Sequence, residues 1–362
     1  MAKPRYKSDR KRGRSAPVSH GNKSKTAANA LPQDRPSPVA VAVAERPARR
    51  KPEGVRLPER TGVVLRAKPD GDYALLDSGR GEKLERYGST LIRRPEGQAI
   101  WLPTLGPSAW DKAHAVFTGD TDEEGAGRWR FPHGGMDETF PLSFDGMGYW
   151  GRFTSFRHTG VFPEQATHWR AMVQVIKSAD LGRPVRMLNL FGYTGLASLV
   201  AARAGAEVTH VDASKKAIGW ARENQTRAGL DGAPIRWICD DALKFVQREG
   251  RRGNAYDIIL LDPPAYGRGP KGEVWHLFDD LPTLLDAVAQ LQSDRHRMTV
   301  LTAYAIRASH FALHELMQEV LAGRPGRLES GELVLEQESG GVALSTSMFS
   351  RHLGEGVLGG GA

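Results

Sequence analysis

Met187-Leu188-Asn189-Leu190-Phe191-Gly192-Tyr193-Thr194-Gly195, near the middle of this 362-residue chain, reads as a strand, a glycine turn and the start of a helix. Its apolar run predicts a buried strand, its two glycines a sharp turn, and the segment from Gly195 to Ala204 a helix. Ligands of open α/β sheets sit at the carboxyl ends of strands, and a helix opening there points free N–H groups at them. Gly192 and Gly195 let the backbone turn sharply and approach a ligand closely. Gly-Tyr-Thr-Gly is not the G-x-G-x-x-G dinucleotide fingerprint. On its own the motif is compatible with a purely structural turn.

Strand patterns recur at Val185–Phe191, Glu207–Val211, Ile235–Ile238, Tyr256–Leu261, Met298–Ala303, Glu332–Gln337 and Val342–Met348. Helical patterns fall between most of them, at Gly195–Ala204, Lys215–Ala228, Ala242–Gln247, Leu281–Gln292 and Ser309–Leu321. Such alternation predicts an α/β fold with a mainly parallel sheet covered on both faces. Only Ser339-Gly340-Gly341 separates the last two strands, so they are expected to pair as a hairpin and mix the sheet at one edge.

Residues 56–150 read differently. Val63–Arg66 and Tyr73–Asp77 flank the turn sequence Pro69-Asp70-Gly71-Asp72, and Leu84–Gly88, Thr90–Arg93, Trp129–Phe131 and Thr139–Leu142 continue the strand pattern. A small antiparallel β domain is expected, with Trp101, Trp110, Trp129, Phe140 and Trp150 in its core or, for one or two of them, on a base-stacking face. The expected boundaries are a disordered basic tail at 1–55, the β domain at 56–150, the α/β domain at 151–353 and a Gly-rich tail at 354–362.

The net charge of +8 is unevenly placed. Residues 1–56 carry 15 Lys/Arg against four Asp/Glu, a net +11, whereas the remainder carries 35 against 38, a net −3. A basic arm of this kind is either merely solvated or attracts polyanions by neutralising phosphates. Cys239 is the only cysteine, which excludes an intramolecular disulfide and a cysteine-rich zinc site. No metal is expected. No apolar run approaches the ~20 residues of a membrane span, and a cytoplasmic protein is the plain expectation.

Three acidic motifs follow the glycine turn. Asp212 ends the second strand, where a carboxylate can accept ribose hydroxyls or cap the next helix with Ser214. Asp240-Asp241-Ala242 follows the third strand; Asp241 is the candidate acceptor for an adenine amino group, or again a helix cap. Asp262-Pro263-Pro264-Ala265-Tyr266 ends the apolar strand Ile258–Leu261. Two prolines fix an extended backbone whose carbonyls can orient an N–H of a flat acceptor, with Tyr266 able to stack on its ring. Arg268 and Lys271 are either phosphate contacts or ordinary loop charges.

Together these motifs resemble the class I S-adenosylmethionine-dependent methyltransferases, and within them the bacterial large-subunit ribosomal RNA methyltransferases that modify cytosine C5 or guanine N7. The resemblance covers roughly residues 150–350. It includes Arg157-His158-Thr159-Gly160-Val161-Phe162-Pro163-Glu164-Gln165, which is similar to a family signature lining the cofactor pocket. The resemblance implies a seven-stranded sheet and S-adenosylmethionine held by Thr159, Gln165, Asn189, Phe191, Gly192, Tyr193, Thr194, Gly195, Asp212, Ala213, Asp241, Ala242 and Asp262. Asp262, Pro263, Pro264 and Tyr266 are the candidates around the acceptor, with Asp262 taking a proton or the cofactor amino group. The cytosine-C5 subgroup carries a nucleophilic cysteine after the fifth strand in a Thr-x-x-Cys context. Here the run Thr302-Ala303-Tyr304-Ala305 places Ala305 there, so a nitrogen acceptor is favoured. The expected function is base methylation of ribosomal RNA, with RNA as partner. The alternatives are a methyltransferase of a small molecule or protein, and a non-catalytic RNA-binding or assembly factor with a relic pocket.

Overall fold

The structure, a computed structural model, describes residues 54–119, 127–304 and 306–357. The expected basic tail, except for its last two residues, lies outside the described residues, as do Ala305 and the last five residues of the Gly-rich end.

The described chain begins with β1 (Glu59–Ala67) and reverses through Asp70-Gly71, where Gly71 adopts φ +50°. A second sheet follows from β2 (Tyr73–Gly79), β3 (Glu82–Tyr87), β4 (Thr90–Pro95), β5 (Ala115–Gly119) and β6 (Gly127–Arg130), in that spatial order, with the single turn α1 (Pro107–Trp110) before β5. β7 (Thr139–Phe144) and β8 (Met147–Arg152) form a separate hairpin. Its two-residue loop, Asp145-Gly146, has both residues at positive φ (46° and 76°), which matches the twist of the flanking strands.

A short 3-10 turn (Pro163–Gln165) leads into α2 (Ala166–Ser178), and then strands and helices alternate. They are β9 (Arg186–Leu190), α3 (Leu196–Arg203), β10 (Glu207–Asp212), α4 (Lys215–Arg227), β11 (Ile235–Cys239), α5 (Ala242–Arg251) and β12 (Ile258–Leu261). The two-stranded β13 (Tyr266–Arg268) and β14 (Val274–His276) interrupt the alternation before α6 (Leu277–Ala289), β15 (Met298–Tyr304), α7 (His310–Val320), β16 (Arg327–Glu336) and β17 (Ala343–Leu353).

The main sheet has eight strands in the order β1-β16-β17-β15-β12-β9-β10-β11. The α/β reading with a mostly parallel sheet holds: β11, β10, β9, β12 and β15 are mutually parallel, and β17 is antiparallel to both neighbours. The strand count is corrected from seven to eight. Val63–Arg66, assigned from sequence to the small β domain, instead pairs in parallel with β16. A Cβ at Gly331 would lie 1.8 Å from the Val63 carbonyl oxygen, so glycine is what lets β1 approach the edge. The small sheet is also not wholly antiparallel, because β4 and β5 run parallel. No helix among the described residues is long and apolar enough to cross a membrane.

Alternation along the central strands builds a core on each face of the sheet. Ile258, Leu260, Met298 and Val300 join the cluster under α2 and α3, while Ile259, Leu261, Leu301 and Ala303 join the cluster under α5, α6 and α7. β12 and β15 are buried along their whole length, which explains the unbroken apolar sequence of β12. Helix starts are set locally: Ser214 accepts from the Ala217 amide at 3.2 Å, Asp241 from Lys244 at 2.9 Å and Ser309 from Phe311 at 3.2 Å.

Candidate functional site

The register of three neighbouring strands assembles the site. Leu190 pairs with Val211 on one side and Leu261 on the other, so the next residues, Phe191, Asp212 and Asp262, emerge together at the carboxyl edge. A cavity of about 700 Å³ opens there, bordered by Phe191, Tyr193, Asp212, Ala213, Asp241, Ala242, Asp262, Pro263, Pro264 and Tyr266. A smaller cavity of about 60 Å³ lies beneath the glycine turn and is bordered by Gln165, Asn189, Gly192 and Thr194. The two share Phe162, Phe191, Tyr193 and Asp262 as walls.

The turn is strained in a way that fits a ligand site. Phe191 and Tyr193, neither of them glycine, adopt φ of 57° and 50°. The conformation is held by the Gly192 amide on the Val211 carbonyl (3.1 Å) and the Tyr193 amide on Asp212 (2.9 Å). A Cβ at Gly192 would lie 2.3 Å from Cε1 of His210, so this glycine is required by packing beneath the turn. Burial pushes the His210 imidazole down to about 3, and it meets the Ser198 hydroxyl at 2.9 Å through Nδ1. Gly195, at φ 83°, is the N-cap of α3 and offers no side-chain cap.

Two sequence-derived candidates stand apart from the cavities. Thr159 is fully buried and borders neither cavity, although its neighbour Gly160 borders the inner one. Gly195 borders neither and serves to turn the chain. Asn189 reaches the inner cavity but commits its amide nitrogen to Ser198 Oγ (2.9 Å), bracing strand to helix. Thr194 donates to the Gly160 carbonyl (2.6 Å), which ties the turn to the segment before α2.

The carboxylates divide their work. Asp212 accepts from the Tyr193 amide through Oδ2 and from the Ser214 amide at 2.8 Å through Oδ1. Burial raises its carboxyl above the usual range, and these two bonds partly oppose the rise. Each oxygen keeps a further lone pair for a hydroxyl. Asp241 caps α5, as its alternative reading allows, and still borders the cavity. Asp240 is paired with Arg248 at 2.7 Å. Asp262 accepts from Gln165 Nε2 at 3.2 Å, and the same amide nitrogen donates to the Tyr304 hydroxyl at 3.0 Å.

The Pro264 carbonyl already accepts the indole N–H of Trp275 at 2.8 Å. The Pro263 carbonyl has no hydrogen bond among the described residues, and the Pro264 carbonyl keeps a second lone pair.

Aromatic residues that the motifs did not single out complete the walls. Phe162 packs against His158 (5.2 Å between ring centroids) and Tyr304 (5.0 Å), and Phe191 against Trp275 (5.1 Å). Phe156, 47% exposed, stands at the mouth. Phe162 and Tyr304 fall within the quoted segments. Trp275 carries no local signal, because it reaches the site only when β14 folds back onto β13.

A family model described as conserved hypothetical protein 95 matches residues 155–285. Ribosomal RNA large subunit methyltransferase K of Neisseria meningitidis is 26% identical over 223 residues, 58% of this chain and 60% of that protein. The K/L methyltransferase of Shewanella frigidimarina is 33% identical over 142 residues, 39% of this chain and 19% of that protein. This chain thus spans less than two thirds of either curated relative. Among solved structures, a SAM-dependent methyltransferase from Agrobacterium tumefaciens shares 55% identity at a TM-score of 0.81, covering 84% of this chain and 97% of that one. A methyltransferase complexed with S-adenosylhomocysteine, 17% identical at a TM-score of 0.59 and covering 78% and 76% of the two chains, shares the fold.

Proposed function

Because the chain belongs to the S-adenosylmethionine-dependent methyltransferase family, we propose that it methylates a base of ribosomal RNA, at a nitrogen. The residues present fit the cofactor. The large cavity offers Asp212 for ribose hydroxyls and Asp241 for an adenine amino group, and the smaller cavity continues from it beneath the glycine turn. When bound, S-adenosylmethionine supplies a methyl group activated by its positive sulfur.

The observation that carries the acceptor reading is the loop Asp262-Pro263-Pro264 facing an aromatic-walled mouth. The Pro263 carbonyl takes an N–H of a flat ring, Tyr266 and Phe156 bound the ring, and Asp262 receives the proton released on transfer. Orientation of this kind is what in-line transfer to a nitrogen requires of the protein. Cys239 borders neither cavity and donates to the Ala213 carbonyl at 3.5 Å, which removes the thiol that carbon methylation through a covalent adduct would need. The ribosomal RNA acceptor is supported by the curated relatives and by the +11 net charge of residues 1–56.

The test is transfer of radiolabelled methyl from S-adenosylmethionine to total RNA from cells lacking the gene, with Asp262→Ala in parallel. Label in large-subunit rRNA as an N-methylated nucleoside, absent with the variant, is expected. Unlabelled RNA alongside intact cofactor binding would move the acceptor to a small molecule or protein.

A further inference from the structure

A further cavity, of about 160 Å³, lies beside the large one and opens to solvent at Gly97 and Gln98. His158, Phe162 and Tyr304 border both, so one aromatic wall separates them. The small sheet builds one side, with Lys83 on β3 and Arg94 and Pro95 on β4. The segment leading into α2 builds the other, with Arg157 and Glu164. The two sides are tied reciprocally: Arg94 donates to the Arg157 carbonyl at 2.9 Å, and Arg157 donates to the Pro95 carbonyl at 3.2 Å.

The charges around this cavity are unequally committed. Arg94 is buried and gives its other N–H groups to Glu85 and the Tyr87 hydroxyl. Lys83 is paired with Glu96 at 3.0 Å. Arg157, half-buried, makes no ion pair among the described residues and keeps further N–H groups on its guanidinium. Burial raises the Glu96 carboxyl, but Lys83 and Arg157 outweigh that and hold it below the usual range, so it stays a carboxylate. Burial raises the Glu164 carboxyl instead.

This mixture selects the occupant. A phosphate entering here would meet the Glu96 charge. A neutral flat ring with donors and acceptors on its edge suits guanidinium and carboxyl groups alike, and the aromatic wall bounds its face. Unstacked RNA bases are held in this way, by edge hydrogen bonds and aromatic contact.

We propose that this cavity takes the base of the nucleotide next to the methylated one, with Arg157 donating to its edge, so that the small sheet helps to select the RNA site. The proposal rests on the RNA reading above. The competing role for Arg157 is a brace between the two sides of the cleft.

The probe is the ribosomal RNA fragment that carries the label in the transfer assay, prepared intact and with an abasic residue on the 5′ or the 3′ side of the methylated nucleotide. With wild-type protein, one of the two abasic fragments is expected to raise KM about tenfold and to leave kcat within about twofold. Arg157→Met is expected to raise KM about tenfold on the intact fragment and to respond less than about twofold to that same abasic change. A brace would not produce this loss of response. Affinity for S-adenosylhomocysteine should stay within about twofold in the variant. Gln98→Ala, at the exposed rim, should act in the same direction more weakly, and it serves if Arg157→Met does not fold, as thermal melting will show. Equal abasic penalties in wild type and variants, or no penalty in wild type from either side, overturn the proposal. Wild-type protein that labels no RNA overturns the RNA reading and this proposal with it.

Discussion

The indole N–H of Trp275 donates to the Pro264 carbonyl at 2.8 Å, and this bond ties the β13–β14 hairpin to the proline loop at the cavity mouth. Trp275 also packs on Phe191 in the glycine turn. One side chain thereby couples the proline loop to the glycine turn. Trp275→Phe keeps the ring contact and strands the carbonyl. We expect a loss of about 1–2 kcal/mol of stability and reduced turnover, with S-adenosylhomocysteine affinity changed less than about threefold. Denaturant melts and calorimetry check this, and unchanged turnover would mean the hairpin is only a brace.

Gln165 holds Asp262 and Tyr304 with one amide nitrogen, so it is a positioning residue. Gln165→Leu should lower the transfer rate by about 10²-fold through misplacement of Asp262. The variant is expected to remain folded. A rate within twofold of wild type would show that Asp262 does not need this support.

Gly192→Ala should be among the most damaging small substitutions. Its methyl group would lie 2.5 Å from Nδ1 of His210, whose ring is itself fully buried. Overpacking of this kind costs about 1–3 kcal/mol, and the distorted turn should lose cofactor affinity. Thermal melting and titration with S-adenosylhomocysteine test both consequences.

Stability should fall on mild acidification. Burial lowers His210 to about 3 and His168 well below its usual value, whereas both take up protons near 6.5 once unfolded. The unfolded chain therefore binds more protons below that pH, and stability declines as pH drops from about 6.5 toward 3, by about 1.4 kcal/mol per unit for each histidine. Urea unfolding at pH 7.5, 6 and 5 should show the slope, and His210→Phe should make it shallower by one proton. Glu85 acts lower on the scale. Burial raises it, but Arg94 and Lys83 outweigh that and hold it at about 2, so its contribution is lost only between about 4.5 and 2.

Removal of residues 1–53 spares the anchor that follows, where Leu57 exchanges hydrogen bonds with Gln318 at 2.9 and 3.0 Å. Cofactor affinity should be unchanged. RNA affinity should fall, and its dependence on salt should become shallower, as lost phosphate contacts require. Filter binding across a salt series decides it; an identical slope would leave the arm without an RNA role.

The chain's own pattern encoded what is local and periodic. Strand-to-helix alternation, buried apolar runs and residues at strand ends located Asp212, Asp241 and Asp262, because a residue at the end of a parallel strand must emerge at the ligand edge. Cap and ligand readings of Asp212 and Asp241 could not be separated in this way, since both ask for a carboxylate in the same place. Tertiary structure decided what depends on distant pairing. β1 joined the main sheet because Gly331, more than 260 residues away, left room for its backbone. Trp275 took the Pro264 carbonyl only once a hairpin closed, and His168 faced the inner cavity only once α2 packed against the sheet. Periodicity encodes which face of an element is buried, but not which polar group it meets there.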